Sequence, residues 1–149
     1  ISMAAPGTDV KLSENRIKGY RNFLNKIWNS NKFSLLNNCK YNKKFNIKKT
    51  NLDVNKWIYF ELSKVNDIAQ KHIANFRFDE AAKSIYQFVW HSYCDWYIEF
   101  LKPIFDSKNK KDLEESRNMS AFIQSNILIL LRNPKSNRIL IPTHIPTDE

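Results

Sequence analysis

Residues 79–102 read DEAAKSIYQFVWHSYCDWYIEFLK. Ala82, Ile85, Val89, Tyr93, Trp96 and Phe100 recur every three or four positions, so one apolar stripe follows the period of an α-helix. Asp79 is placed to cap its start, Glu80 suits the positive end of the helix dipole, and Pro103 is expected to end it. The preceding segment repeats the pattern, with Trp57, Ile58, Leu62, Val65, Ala69 and Ile73 facing inward on a helix from about Asp53 to Asn75. Upstream, Ser13 can cap a long helix from about Glu14 to Leu36, and Ile17, Tyr20, Leu24, Ile27, Trp28 and Leu35 mark its expected buried stripe. Downstream, a lysine-rich link from Lys108 to Lys111 leads into a fourth helix from about Lys111 to Leu131. Asn37 to Asn51 is polar and basic and reads as a loop or frayed connection. No alternating pattern appears before Arg138–Ile141, and two glycines leave little material for tight turns. The sequence therefore predicts an all-α fold, an antiparallel bundle of about four long helices.

The 149 residues suffice for one domain with a sizeable core, and 42% hydrophobic with 13% aromatic residues excludes a disordered tail. The anomaly is charge. A net +9 is confined to residues 1–57, which carry twelve basic and three acidic side chains, whereas residues 58–149 carry twelve of each. Lysine outnumbers arginine eighteen to six, as expected of an AT-rich genome, but such a bias would not confine the excess to one end. The asymmetry implies a polyanionic partner, nucleic acid before membrane. No run of about 18 apolar residues is present, so no membrane association by a spanning helix is expected. Ile1 to Val10 lacks the basic and apolar regions of a signal peptide, and the missing initiator Met suggests a piece of something longer. Cys39 and Cys94 lack CxxC companions, so two free thiols in a reducing cytoplasm are the expectation.

The sequence offers no catalytic centre. His91 and Cys94, near Asp95 and Glu99, resemble the start of a metal set, yet zinc needs three or four ligands and no second cluster exists; they read as packed or surface side chains. Asp95 and Glu99, one helical turn apart, imitate a carboxylate pair, but pairing of one of them with a basic neighbour is the better reading. No Gly-rich phosphate loop, GxSxG elbow or Ser/His/Asp set is present. Trp28, Trp57, Trp90 and Trp96 fall on or beside apolar stripes and are expected in the core. Tyr41 and Phe45 sit among Lys40, Lys43, Lys44, Lys48 and Lys49, where they either stack on unpaired bases or anchor the loop on the bundle.

Two stretches carry a family resemblance. Gly19-Tyr20-Arg21-Asn22-Phe23, followed by Lys26-Ile27-Trp28-Asn29, resembles the first helix of the anticodon-binding domain of valyl-tRNA synthetases. Phe76-Arg77-Phe78-Asp79-Glu80-Ala81-Ala82, then Ile85-Tyr86-Gln87-Phe88-Val89-Trp90 and Cys94-Asp95-Trp96-Tyr97-Ile98-Glu99, is similar to that family's third-helix signature. Sister class I enzymes for isoleucine and leucine share the bundle but differ where Cys94-Asp95-Trp96-Tyr97 stands. Ser2 to Asp9 is similar to the segment after the ATP-handling KMSKS loop, although Lys11-Leu12-Ser13 is not that loop. The resemblance implies residues 1–12 as the connection from a catalytic domain, 13–131 as the anticodon-binding bundle, and 132–149 as an atypical tail. In that tail Arg132-Asn133-Pro134-Lys135-Ser136-Asn137 replaces the family's His-Pro-Phe-Met-Pro turn, as in a truncated or frame-disrupted gene.

The resemblance further implies a cytoplasmic valine–tRNA ligase whose ATP and Mg chemistry and editing lie in other domains, with no cofactor, metal or catalytic residue in this segment. The expected function is a tRNA anticodon-arm binding module, non-catalytic alone, with valine-accepting tRNA and the parent chain's catalytic domain as partners, and neither DNA nor membrane. Arg16, Arg21, Asn22 and Lys26 are the first candidates for RNA contact, followed by Lys18, Asn25 and Asn29. Lys43, Lys44 and Lys48 are expected to meet phosphates. The alternatives are a helical protein-interaction module with a basic arm, the equivalent domain of a related class I synthetase, and a nonfunctional gene remnant.

Overall fold

A computed structural model describes residues 14–132, all helix, turn or loop without a strand. The helices are α1 (Glu14–Leu36), α2 (Asp53–Ala74), α3 (Phe78–Gln87), α4 (Ile98–Phe105) and α5 (Lys110–Arg132). A π-helical segment, Phe88–Tyr97, joins α3 to α4 without a break, so the chain forms the four long helical runs expected of the bundle. Ser13, the connection 1–12, the tail beyond Arg132 and the Arg138–Ile141 stretch lie outside the described residues.

The core is built from three of the four runs. Ile58, Leu62, Val65 and Ala69 of α2 meet Ile85, Val89, Tyr93, Tyr97 and Leu101, and both sets meet Met119, Ile123, Ile127 and Leu130 of α5. Every residue expected to face inward on α2 does so, with Trp57 and Ile73 packed at the margin. α1 rests on the π segment and α5, and adds only the partly buried Phe23, Ile27 and Phe33.

The π segment corrects the stripe expected of the third helix. Ile85, Val89 and Tyr93 are buried as expected, but Trp96 and Phe100 are 58% and 45% exposed, and Tyr97, Ile98 and Leu101 take their places. Backbone pairing five residues apart, as from Ile98 N–H to the Tyr93 carbonyl, widens the turn and rotates the residues beyond it relative to a regular α-helix. At the other end Ala81 is buried and Ala82 only partly. Asp79 does not cap the helix. Arg77 holds the cap position, and the Asp79 carboxylate pairs with its guanidinium at 3.2 Å. Pro103 does not end the run either. The helix continues to Phe105, because Asp106 N–H still reaches the Lys102 carbonyl at 3.1 Å to complete the last turn.

Both α1 and α2 end in a Schellman turn. Asn38 and Phe76 each adopt φ 58°, Cys39 N–H donates to the Ser34 carbonyl at 2.9 Å, and Arg77 N–H to the His72 carbonyl at 2.8 Å. Asn tolerates this left-handed conformation, whereas Phe76 holds it against a steric cost of about 1–2 kcal/mol.

The basic connection between α1 and α2 is an ordered turn structure. Asn42 Oδ1 accepts from Lys44 N–H at 2.9 Å, and Asn46 Oδ1 accepts from Lys48 N–H at 3.0 Å to cap a short 3₁₀ turn, Ile47–Lys49. Glu115 of α5 then clamps the start of α2. One carboxylate oxygen accepts from Asn51 N–H at 2.9 Å, and the other from Leu52 N–H and Asn55 Nδ2, both at 3.0 Å. Asn55 is fully buried and accepts in turn from the Tyr97 hydroxyl at 2.8 Å. Burial alone would raise the Glu115 pKa; the hydrogen bonds from Asn55, Asn51 and Leu52 outweigh it and hold the carboxyl below its ordinary value.

Candidate nucleic-acid interface

α1 carries three stripes. Phe23, Ile27, Ser30, Phe33 and Ser34, at heptad-like spacing, face the bundle. Ser30 and Ser34 are buried, and the Ser34 hydroxyl lies 3.2 Å from that of Ser120 on α5, so small side chains bring the two helices close. The stripe expected to be buried is instead largely exposed. Of Ile17, Tyr20, Leu24, Ile27, Trp28 and Leu35, only Ile27 packs on the core, while Leu24 is 64% and Trp28 71% exposed. A helix two sides of which carry apolar residues gives two candidate stripes, and serine made the packed one look polar.

The third stripe is the polar one. Lys18, Arg21, Asn22, Asn25, Asn29 and Lys32 are all exposed along one side of α1. Lys18 lies 3.5 Å from the Glu14 carboxylate, a contact of little energy at this exposure. Arg21 and Lys32 have no ion-pair partner among the described residues. The Arg16 side chain lies outside the described residues.

Lys26 does not belong to that exposed face. Its ammonium pairs with Asp95 and sits 4.2 Å from the centre of the Trp90 ring, which also stacks with Tyr86 and Phe23. Lys26 thus fastens α1 to the π segment through an ion pair and a cation–π contact. Asp95 also approaches His91 Nδ1 at 3.3 Å, and Glu99 pairs with Lys102 at 2.7 Å, so both carboxylates have basic neighbours. Of the four tryptophans expected in the core, Trp57 and Trp90 are packed and Trp28 and Trp96 are exposed. Cys94 and Cys39 are free thiols; burial raises both pKa values, that of Cys94 to about 11, so neither is poised for nucleophilic chemistry.

The loop after α1 places Lys43, Lys44 and Lys48 in the open, beside the equally exposed Lys40 and Lys49. No acidic residue occurs from Asn37 to Leu52, and none of these lysines has an ion pair among the described residues. Phe45 and Ile47 pack against the core, which assigns Phe45 to anchoring, whereas Tyr41 is 41% exposed. Among the described residues no three His, Cys, Asp or Glu side chains converge as metal ligands, and no helix is long and apolar enough to cross a membrane. The chemistry on display is therefore that of a cationic surface on a rigid helical frame, suited to a polyanion.

Comparison with known proteins identifies the helical frame that carries this surface. Residues 55–132 match the family model described as the anticodon-binding domain of tRNA ligase. The chain is 53% identical over 131 residues to the valine–tRNA ligase of Pelagibacter ubique, covering 88% of this chain and 15% of that protein. It is 43% identical over 129 residues to the valine–tRNA ligase of Bartonella quintana, and 41% identical over 133 residues to that of Zymomonas mobilis. These alignments cover 87% of this chain in both cases and 14% and 15% of the respective relatives. The chain thus spans about one-seventh of the length of the curated relatives it matches.

Proposed function

The chain belongs to the anticodon-binding domain family of tRNA ligases, and on that premise we propose that its exposed cationic side docks the anticodon arm of a valine-accepting tRNA. The observation that carries this reading is the coincidence of charge and exposure. The excess of basic residues lies on α1 and the following loop, where Arg21, Lys32 and five loop lysines stand without acidic partners among the described residues. Contacts to phosphates position an RNA, and splayed bases in its loop supply identity.

In this proposal valine activation with ATP and Mg, and editing, belong to the rest of a longer cytoplasmic ligase, while this segment orients the tRNA and supplies no cofactor or catalytic group. The catalytic domain is its partner within that chain, and the exposed stripe of Ile17, Tyr20, Leu24, Trp28 and Leu35 is a surface such a partner would cover. Hydroxyl-radical footprinting of valine-accepting tRNA with the 149-residue chain tests the docking role. Protection of the anticodon arm is expected. Protection limited to the acceptor stem, or none at saturating protein, would contradict it.

A further inference from the structure

The ordered basic loop closes over an open depression of about 430 Å³. Tyr41, Lys43, Lys44 and Lys48 come from the loop, and Tyr59 of α2 and Phe122 of α5 line it from the bundle, their rings 6.3 Å apart. We propose that this depression seats one unpaired nucleotide of an RNA loop, its base against the aromatic residues and its phosphates among the three lysines. The inference rests on the tRNA-docking reading and deepens it by assigning a nucleotide site that is separate from the polar face of α1.

Three observations carry it. First, the lining combines flat apolar rings with lysines and contains no carboxylate, the pairing that single-stranded nucleic acid presents in mirror image as bases and phosphates. Second, the site is preformed. The turns at Asn42 and Asn46, the Thr50 hydroxyl donating to the Ile47 carbonyl at 2.6 Å, and the Glu115 clamp fix the loop before any ligand arrives. Third, Tyr41 stays exposed while its neighbours Phe45 and Ile47 are spent on anchoring, so the loop holds one aromatic ring free of the core. A paired duplex keeps its bases stacked inside and cannot place one against such a wall; a loop nucleotide can.

The test uses fluorescence anisotropy of a labelled tRNA anticodon-arm hairpin and of a fully paired duplex of equal length, with the 149-residue chain and its Tyr41→Ala, Tyr41→Phe and Arg21→Ala variants. Tyr41→Ala is expected to weaken hairpin binding about ten-fold, the loss expected on removing one base-stacking ring, and to leave duplex binding unchanged, while Tyr41→Phe keeps hairpin affinity. Unchanged hairpin binding by Tyr41→Ala, with Arg21→Ala still weakening it, would overturn the pocket and leave the tRNA-docking reading standing. Equal loss on hairpin and duplex would reduce the site to a general anionic patch and also overturn it. Displacement of the hairpin by micromolar AMP would assign the depression to a free mononucleotide, against the proposal. Failure of the unmodified chain to bind either RNA would end both readings together.

Discussion

Single residues decide how this bundle holds its parts. Lys26 looks from the sequence like one of a row of cations, yet it is withdrawn into a contact with Asp95 and Trp90, and its charge serves attachment of α1. Its spacing alone sets it apart from Arg21 and Lys32, five and six residues away and so more than about 100° round the helix, but not what claims it, because the carboxylate and the ring lie more than sixty residues away in the chain. Glu115 is the other such residue, and its role carries a pH signature. Its folded pKa lies below its unfolded one, so its contribution is complete above the unfolded value of about 4.3 and is lost as pH falls through the folded pKa. Glu115→Ala is expected to cost about 2 kcal/mol at neutral pH in urea denaturation, and to flatten the acid-side fall in stability relative to the unmodified chain. A loss under about 0.5 kcal/mol, the range of ordinary surface substitutions, would show that the clamp contributes nothing.

At the scale of elements, the all-α class and all four long helical runs were legible, and in α2 the amphipathic period survives residue by residue. The failures have physical causes. The π segment shifts the core from Trp96 and Phe100 to Tyr97 and Leu101, and a regular 3.6-residue period cannot anticipate a locally wider turn. α1 hides its packed side behind serines, so reading by hydrophobicity selects the wrong stripe. The candidate site was legible in part: the basic loop and the polar face of α1 are where the charge map put them, but the order of the loop depends on Glu115, far along the chain. The exposed apolar stripe gives its own expectation. Leu24→Glu and Trp28→Glu should leave thermal stability nearly unchanged and reduce self-association in sedimentation experiments, because both side chains stand clear of the core. A loss of several kcal/mol in either variant would place those residues in the chain's own interior instead.

For the molecule as a whole, a neutral core of α2, the α3-to-α4 run and α5 supports a cationic edge formed by α1 and its loop. The position of the unpaired lysines explains how such an edge would act: by displacing counterions from an RNA backbone. That mechanism is quantitative. The slope of log affinity against log salt for valine-accepting tRNA counts the phosphates neutralised, at about 0.7–0.9 per contact. Replacing Lys43, Lys44 and Lys48 together by Ala should flatten that slope by about 2–3, whereas replacing Lys108, Lys110 and Lys111 together, or Lys26 alone, should leave it nearly unchanged. A salt-independent affinity, or equal flattening by the two triple variants, would contradict the account.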